Sequence, residues 1–111
     1  MKSRLTLIFL LIGIWGSAQA QKVFSVDSRY DADIKVYVAS SRYDADLKVY
    51  KVSSAYDANQ DGLWFFTTSR YDAKKKVYFV DSRYDADLII YFVDSRYDAG
   101  WNKKEKLHLL K

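Results

Sequence analysis

Six 13-residue repeats wound twice into a pseudo-threefold, all-β body are what the sequence predicts, and three observations carry that prediction. One phrase recurs: VDSRYDAD from Val26, SSRYDAD from Ser40, SSAYDAN from Ser53, TSRYDAK from Thr68, DSRYDAD from Asp81 and DSRYDAG from Asp94. A short stretch rich in β-branched and aromatic residues precedes each copy. The phrase tyrosines, Tyr30, Tyr43, Tyr56, Tyr71, Tyr84 and Tyr97, are spaced 13, 13, 15, 13 and 13 residues apart. A fixed period of this kind marks one supersecondary unit written repeatedly, rather than a scaffold built around a single special site.

Residues 1–20 stand apart from the repeats. Lys2 and Arg4 precede an apolar run from Leu5 to Trp15, and Gly16 to Ala20 end it with small residues at Ala18 and Ala20. This is the pattern of a signal peptide. The run is short for a membrane span, which needs about 20 apolar residues, so the expected mature chain begins at Gln21, is exported to the periplasm or the extracellular space, and has no transmembrane span. The 111-residue sequence contains no cysteine, which excludes disulfide stapling and thiolate chemistry. Without Lys2 and Arg4 the net charge falls from +4 to +2, a weak basis for a nucleic-acid partner, and none is expected.

Residues 21–101 hold the repeats and are expected to form one domain. The strand segments begin at Val23, Val36, Val49, Trp64, Val77 and Ile90. Their second position is always aromatic (Phe24, Tyr37, Tyr50, Phe65, Tyr78, Tyr91), so alternation predicts that the second and fourth positions face the core and the third faces outward. The phrase alternates too: Tyr and Ala are expected on an inward face, with Arg and both aspartates on a charged outer surface, in an extended corner. The Ala column (Ala32, Ala45, Ala58, Ala73, Ala86, Ala99) never exceeds a methyl group, which suggests close packing beneath a neighbouring repeat's tyrosine. Gly62 and Gly100 are the only glycines of the mature chain and proline is absent, as suits corners of ordinary backbone geometry.

The spacing sets the winding. Thirteen extended residues span roughly 43 Å, so one repeat per triangular turn leaves edges of about 14 Å, too small to enclose an aromatic from each. Tyr30 to Tyr71, Tyr43 to Tyr84 and Tyr56 to Tyr97 are each 41 residues apart. Three repeats therefore make one circuit, and the strands of a second circuit lie beside those of the first.

The repeated SRYDADLKVYxVD unit, from about Val23 to Trp101, resembles the septoil-knot domain family, small bacterial proteins of unknown function. The third copy, Ser54-Ala55-Tyr56, lacks the arginine, and the strand from Leu63 to Thr67 departs from Val-Tyr. The resemblance implies a deep seven-crossing torus knot, 7(1), and supplies no catalytic residues.

Four constellations invite a chemical reading. Asp57, Asn59, Asp61 and Gly62 match the first half of an EF-hand loop, but Thr68 stands where the bidentate Glu belongs, so the segment reads as a third phrase copy followed by an inserted turn, with weak calcium binding left open. The aspartates Asp31, Asp44, Asp57, Asp72, Asp85 and Asp98 occupy equivalent settings, whereas an acid–base pair needs unlike ones. Structural Arg–Asp pairing is expected instead. Lys74, Lys75 and Lys76, and Lys103, Lys104 and Lys106 in the basic tail at residues 102–111, form a solubilising surface and a frayed terminus or dock an anionic polymer, glycan or membrane surface. His108 lacks a Ser or Cys partner in any motif and is expected in solvent. No catalytic, metal or cofactor residue is assigned. The sequence favours a non-catalytic structural or interaction module with an unidentified protein or envelope partner.

Overall fold

The structure, a computed structural model, describes residues 21–110; the expected signal peptide lies outside the described residues. Seven strands occur: β1 (Gln21–Ser25), β2 (Ile34–Val38), β3 (Leu47–Lys51), β4 (Leu63–Phe66), β5 (Lys75–Phe79), β6 (Leu88–Phe92) and the short β7 (Gly100–Trp101). The first six form a closed parallel barrel in the order β4-β1-β5-β2-β6-β3, with β3 pairing β4 to complete the ring. Strands of the first circuit, β1, β2 and β3, alternate with β4, β5 and β6 of the second. The double circuit expected from the 41-residue spacing is therefore the observed architecture. β7 runs antiparallel to the first half of β3, pairing Leu47 with Trp101 and Lys48 with Gly100.

A parallel barrel requires every connection to return outside it, from the end of one strand to the start of the next. Each return carries a phrase, and the phrase is a turn rather than an extended corner. Arg29–Asp31, Arg42–Asp44, Ala55–Asp57, Arg83–Asp85 and Arg96–Asp98 are single 3₁₀ turns. The preceding serine builds each one: the Tyr30 N–H donates to Ser28 Oγ at 3.2 Å and the Asp31 N–H to Ser28 O at 3.1 Å, and the other four copies repeat both bonds. In the fourth copy Thr67 Oγ1 instead accepts from the Ser69 N–H. Serine competes with regular structure in this way wherever its hydroxyl reaches a nearby amide. Ordinary backbone angles suffice, and the two described residues with positive φ are Gly62 and Gly100.

The core face is the opposite of the expected one. Val23, Val36, Val49, Trp64, Val77 and Ile90, the first positions, are buried in the lumen with Ile34, Leu47 and Leu88. The second-position aromatics are half-buried on the outer face. A one-residue change of parity exchanges the two faces of a strand, and a six-stranded lumen is too narrow for six aromatic rings. It takes β-branched residues and one indole, Trp64, packed edge-on to Phe66 at 6.2 Å between centroids. The outer aromatics lie under the returning turns; Arg29, for example, places its guanidinium 6.0 Å from the Tyr78 ring centre.

The C-terminal segment is not frayed. Lys104–Leu110 forms a run of 3₁₀ turns that buries Leu110 against the core. Lys106 Nζ donates to Asp87 O at 2.8 Å and lies 3.8 Å from the Asp46 carboxylate, while the Asn102 and Lys103 amides donate to Asp46 O. Asp46 and Asp87 precede β3 and β6, so the tail closes the end of the barrel where strands begin. Among the described residues no helix is long and apolar enough to cross a membrane.

Candidate functional site

Six tyrosines project from the six turns. Tyr30, Tyr43, Tyr56, Tyr71, Tyr84 and Tyr97 are 84–93% exposed, which overturns the inward placement expected from alternation. The residues Arg-Tyr-Asp form a single turn of three-residue periodicity, so the period-2 argument does not apply to them. The turns around Tyr30, Tyr43, Tyr56, Tyr84 and Tyr97 pack on β5, β6, β4, β2 and β3. The fourth-copy turn is fastened to β1 through Thr67 N–H to Val23 O and Lys74 N–H to Lys22 O. One turn thus lies against each barrel strand, and the tyrosines encircle the waist.

The first aspartate, kept in all six phrases, and the second, kept in three, do different work. The first, Asp31 and its equivalents, is exposed in all six copies. Where it pairs with arginine it does so between turns on adjacent strands: Arg42 with Asp98 at 3.6 Å and Arg70 with Asp31 at 3.9 Å. Both contacts are solvent-accessible, each worth about 0–1 kcal/mol. The second, present as Asp33, Asp46 and Asp87, ranges from exposed at Asp33 to buried at Asp46, and in each case it binds the strand it crosses. Asp33 donates its N–H to Lys76 O and accepts the Lys76 N–H on its carboxylate; Asp46 does the same with Ile89 and Asp87 with Lys35. Each carboxylate therefore staples a returning chain to the strand it crosses, and Asp46 is buried. The alanine after the first aspartate is fully buried at Ala45 and Ala58 and half-buried in the other four copies. The phrase tyrosines stand in solvent and do not cover it.

The half-match to a calcium loop is spent on structure. The Asp61 carboxylate accepts from Gln21 Nε2 at 2.5 Å and from Trp101 Nε1 at 2.7 Å, and Gln21 Oε1 accepts the Gly62 N–H at 3.1 Å. Asp57 and Asn59 are exposed. Among the described residues no three acidic or histidine side chains are grouped to hold a metal. Of the lysine runs, Lys103 and Lys104 are exposed, Lys74 to Lys76 are half-buried, and Lys106 is engaged with Asp46 and Asp87 as above. His108 is exposed, its Nδ1 3.1 Å from Glu105 O.

Sequence reasoning missed the mouth at the other end, where strands finish. A depression of about 720 Å³ is lined there by Ser25, Val38, Lys51, Phe66, Phe79 and Phe92, together with Val52. The first six are the third position of each barrel strand, expected to face outward. The signal was present: the first-position column stays apolar in all six copies, whereas the third runs Ser, Val, Lys, Phe, Phe, Phe.

A closed barrel of six parallel strands, built from internally repeated units and with no catalytic group evident, defines a small β-rich repeat domain. The family model for the 7(1) septoil knot domain matches residues 20–102, and the chain belongs to that family, whose name implies the knotted path. No curated protein and no solved structure matches the chain.

Proposed function

We propose that this protein is a non-catalytic interaction module of the periplasm or extracellular space that engages a protein or envelope partner through its belt of tyrosines. The observation that carries this reading is the near-complete exposure of six equivalent rings, five of them on serine-capped turns. A ring left in water contributes little to folding, but its apolar area gives about 25 cal/mol per Å² when a partner covers it. Tyrosine and arginine are enriched among residues that dominate binding, and a side chain on a pre-formed turn loses less freedom on association. Six equivalent rings also favour a partner with repeated features, because each contact raises the effective concentration of the next.

Export rests on Lys2, Arg4, the apolar run from Leu5 to Trp15 and the small-residue end at Ala20. β1 begins at Gln21, so cleavage there leaves the barrel strands whole. Intact-mass measurement of exported protein should give a chain starting at Gln21; a species retaining residues 1–20 makes the segment an anchor. The septoil knot implied by the family suits a body that must resist unfolding outside the cell. It predicts slow refolding without any proline isomerisation to account for it.

The test of the belt is capture from envelope extract by the mature chain and by a variant with all six phrase tyrosines changed to serine, both checked for an unchanged unfolding midpoint. The parent chain should retain a partner that the variant loses. Equal retention by the two overturns the belt. A second reading, binding of an anionic polymer or surface, is favoured by the location of both lysine runs toward the end where strands begin. Lys103→Ala with Lys104→Ala should then abolish salt-sensitive retention on an anionic matrix, and Lys106 is left unchanged because it holds the tail.

A further inference from the structure

The mouth where the strands finish is not symmetric, and its asymmetry is chemical. The second circuit supplies Phe66, Phe79 and Phe92, and the first supplies Ser25, Val38 and Lys51. Because the circuits interleave, the rim reads Phe66, Ser25, Phe79, Val38, Phe92, Lys51 around the barrel. Three phenylalanines thus alternate with three other residues, and one of those three gaps holds a cation. Lys51 Nζ lies 4.6 Å from the Phe92 ring centre and 5.3 Å from that of Phe66, its two neighbours on the rim. Among the described residues no carboxylate is within ion-pair distance of it. The repeats serve as an internal control: the same position in equivalent strands need not be charged or aromatic for the barrel to form.

We propose that this mouth binds one single-tailed carboxylate, a fatty-acid-like anion, with its acid group on Lys51 and its chain across Phe66, Phe79 and Phe92. A depression of about 720 Å³ falls within the roughly 300–1,000 Å³ that small-molecule sites occupy, and an apolar lining with a few placed polar groups, here Lys51 and Ser25, is their usual composition. Charge selects the occupant. A second copy docked mouth to mouth brings two ammonium groups without carboxylate partners into one apolar contact, a like-charge burden that opposes association. A neutral apolar ligand leaves the ammonium unpaired, whereas a carboxylate gives it a charge-assisted hydrogen bond beside apolar surface.

The experiment is calorimetric titration of the purified chain with sodium dodecanoate below its micelle concentration, with sedimentation in parallel. One dodecanoate should bind per chain. Lys51→Met, which keeps the apolar stem, should weaken binding at least tenfold with an unchanged unfolding midpoint, and Lys51→Glu should bind dodecylammonium in preference to dodecanoate. Lys103→Met at the opposite end and the serine-substituted belt variant should bind as the parent does, which separates this site from the tyrosine belt. Absent or non-saturable binding overturns the proposal, as does equal affinity in Lys51→Met. Dimerisation that excludes dodecanoate also overturns it and makes the mouth an interface between copies.

Discussion

The two ends of the barrel are made from the same repeat and finish differently. Where strands begin, residues outside the repeat pattern seal the lumen: Leu110 packs against the core, and Gln21, Asp61 and Trp101 join the start of the barrel, the inserted turn and the end of the repeats through hydrogen bonds. Where strands finish, nothing from outside the repeats lines the opening, and the repeat's own third position forms the rim. Repetition generates an equivalent wall around the barrel. Individual character enters at the closed end through added chain and at the open end through divergence of one column.

The most damaging way to break this comparison is to hollow out the lumen that both ends share. Trp64→Ala should cost about 3–5 kcal/mol in denaturant unfolding, the usual range for a buried aromatic. Trp64→Phe should cost distinctly less, because the buried indole Nε1 has no hydrogen-bond partner to lose. Next comes the seal. Leu110→Ala should destabilise by about 2 kcal/mol, the low end for a buried leucine because the 3₁₀ turns around it lie at the end of the barrel and can relax into the gap, while Phe79→Ala on the open rim should cost less than half as much. Similar costs at the two ends would mean that the mouth contributes as much to folding as the seal.

Smaller again is the contrast between the two aspartate columns. Asp46→Ala removes the acceptor of the Ile89 N–H and the partner of Lys106, and should cost about 1–3 kcal/mol. Asp44→Ala, two residues earlier and exposed, should stay within about 0.5 kcal/mol. The smallest expected effect is at the waist: Tyr84→Ala should shift the unfolding midpoint by no more than about 0.5 kcal/mol in equivalent stability. A large loss there would return the tyrosines to a structural role and remove the support for a partner surface.

The period and its single irregularity were legible in the sequence, and with them the winding, because interleaving follows from counting residues between equivalent tyrosines. The parity of the strands was not. Alternation gives two solutions that differ by one residue, and aromatic size favoured the wrong one; the narrow lumen, which decides the matter, exists only once the barrel closes. The column of Val23, Val36, Val49, Trp64, Val77 and Ile90 is never polar and was the better guide. The turns were misread for a different reason. Ser28 and its equivalents cap locally, so Tyr30 leaves the alternating register on which its inward placement depended, while the alanine column stays buried or half-buried. The strand-binding role of Asp33, Asp46 and Asp87 needs a crossing chain beneath it, and no local pattern specifies which strand that is.

Closure of β3 on β4 also fixes how many copies the molecule can hold. In a solenoid each terminal unit leaves an interface for another, so lengthening costs nothing in design. Here the six strands saturate one another, and the chain after the sixth phrase finds only the vacant first half of β3, where it pairs antiparallel for two residues. A seventh copy has no slot beside its predecessors, and removal of one copy leaves two strand edges unpaired. Such a chain can diversify by substitution within its columns, but not by gaining or losing units.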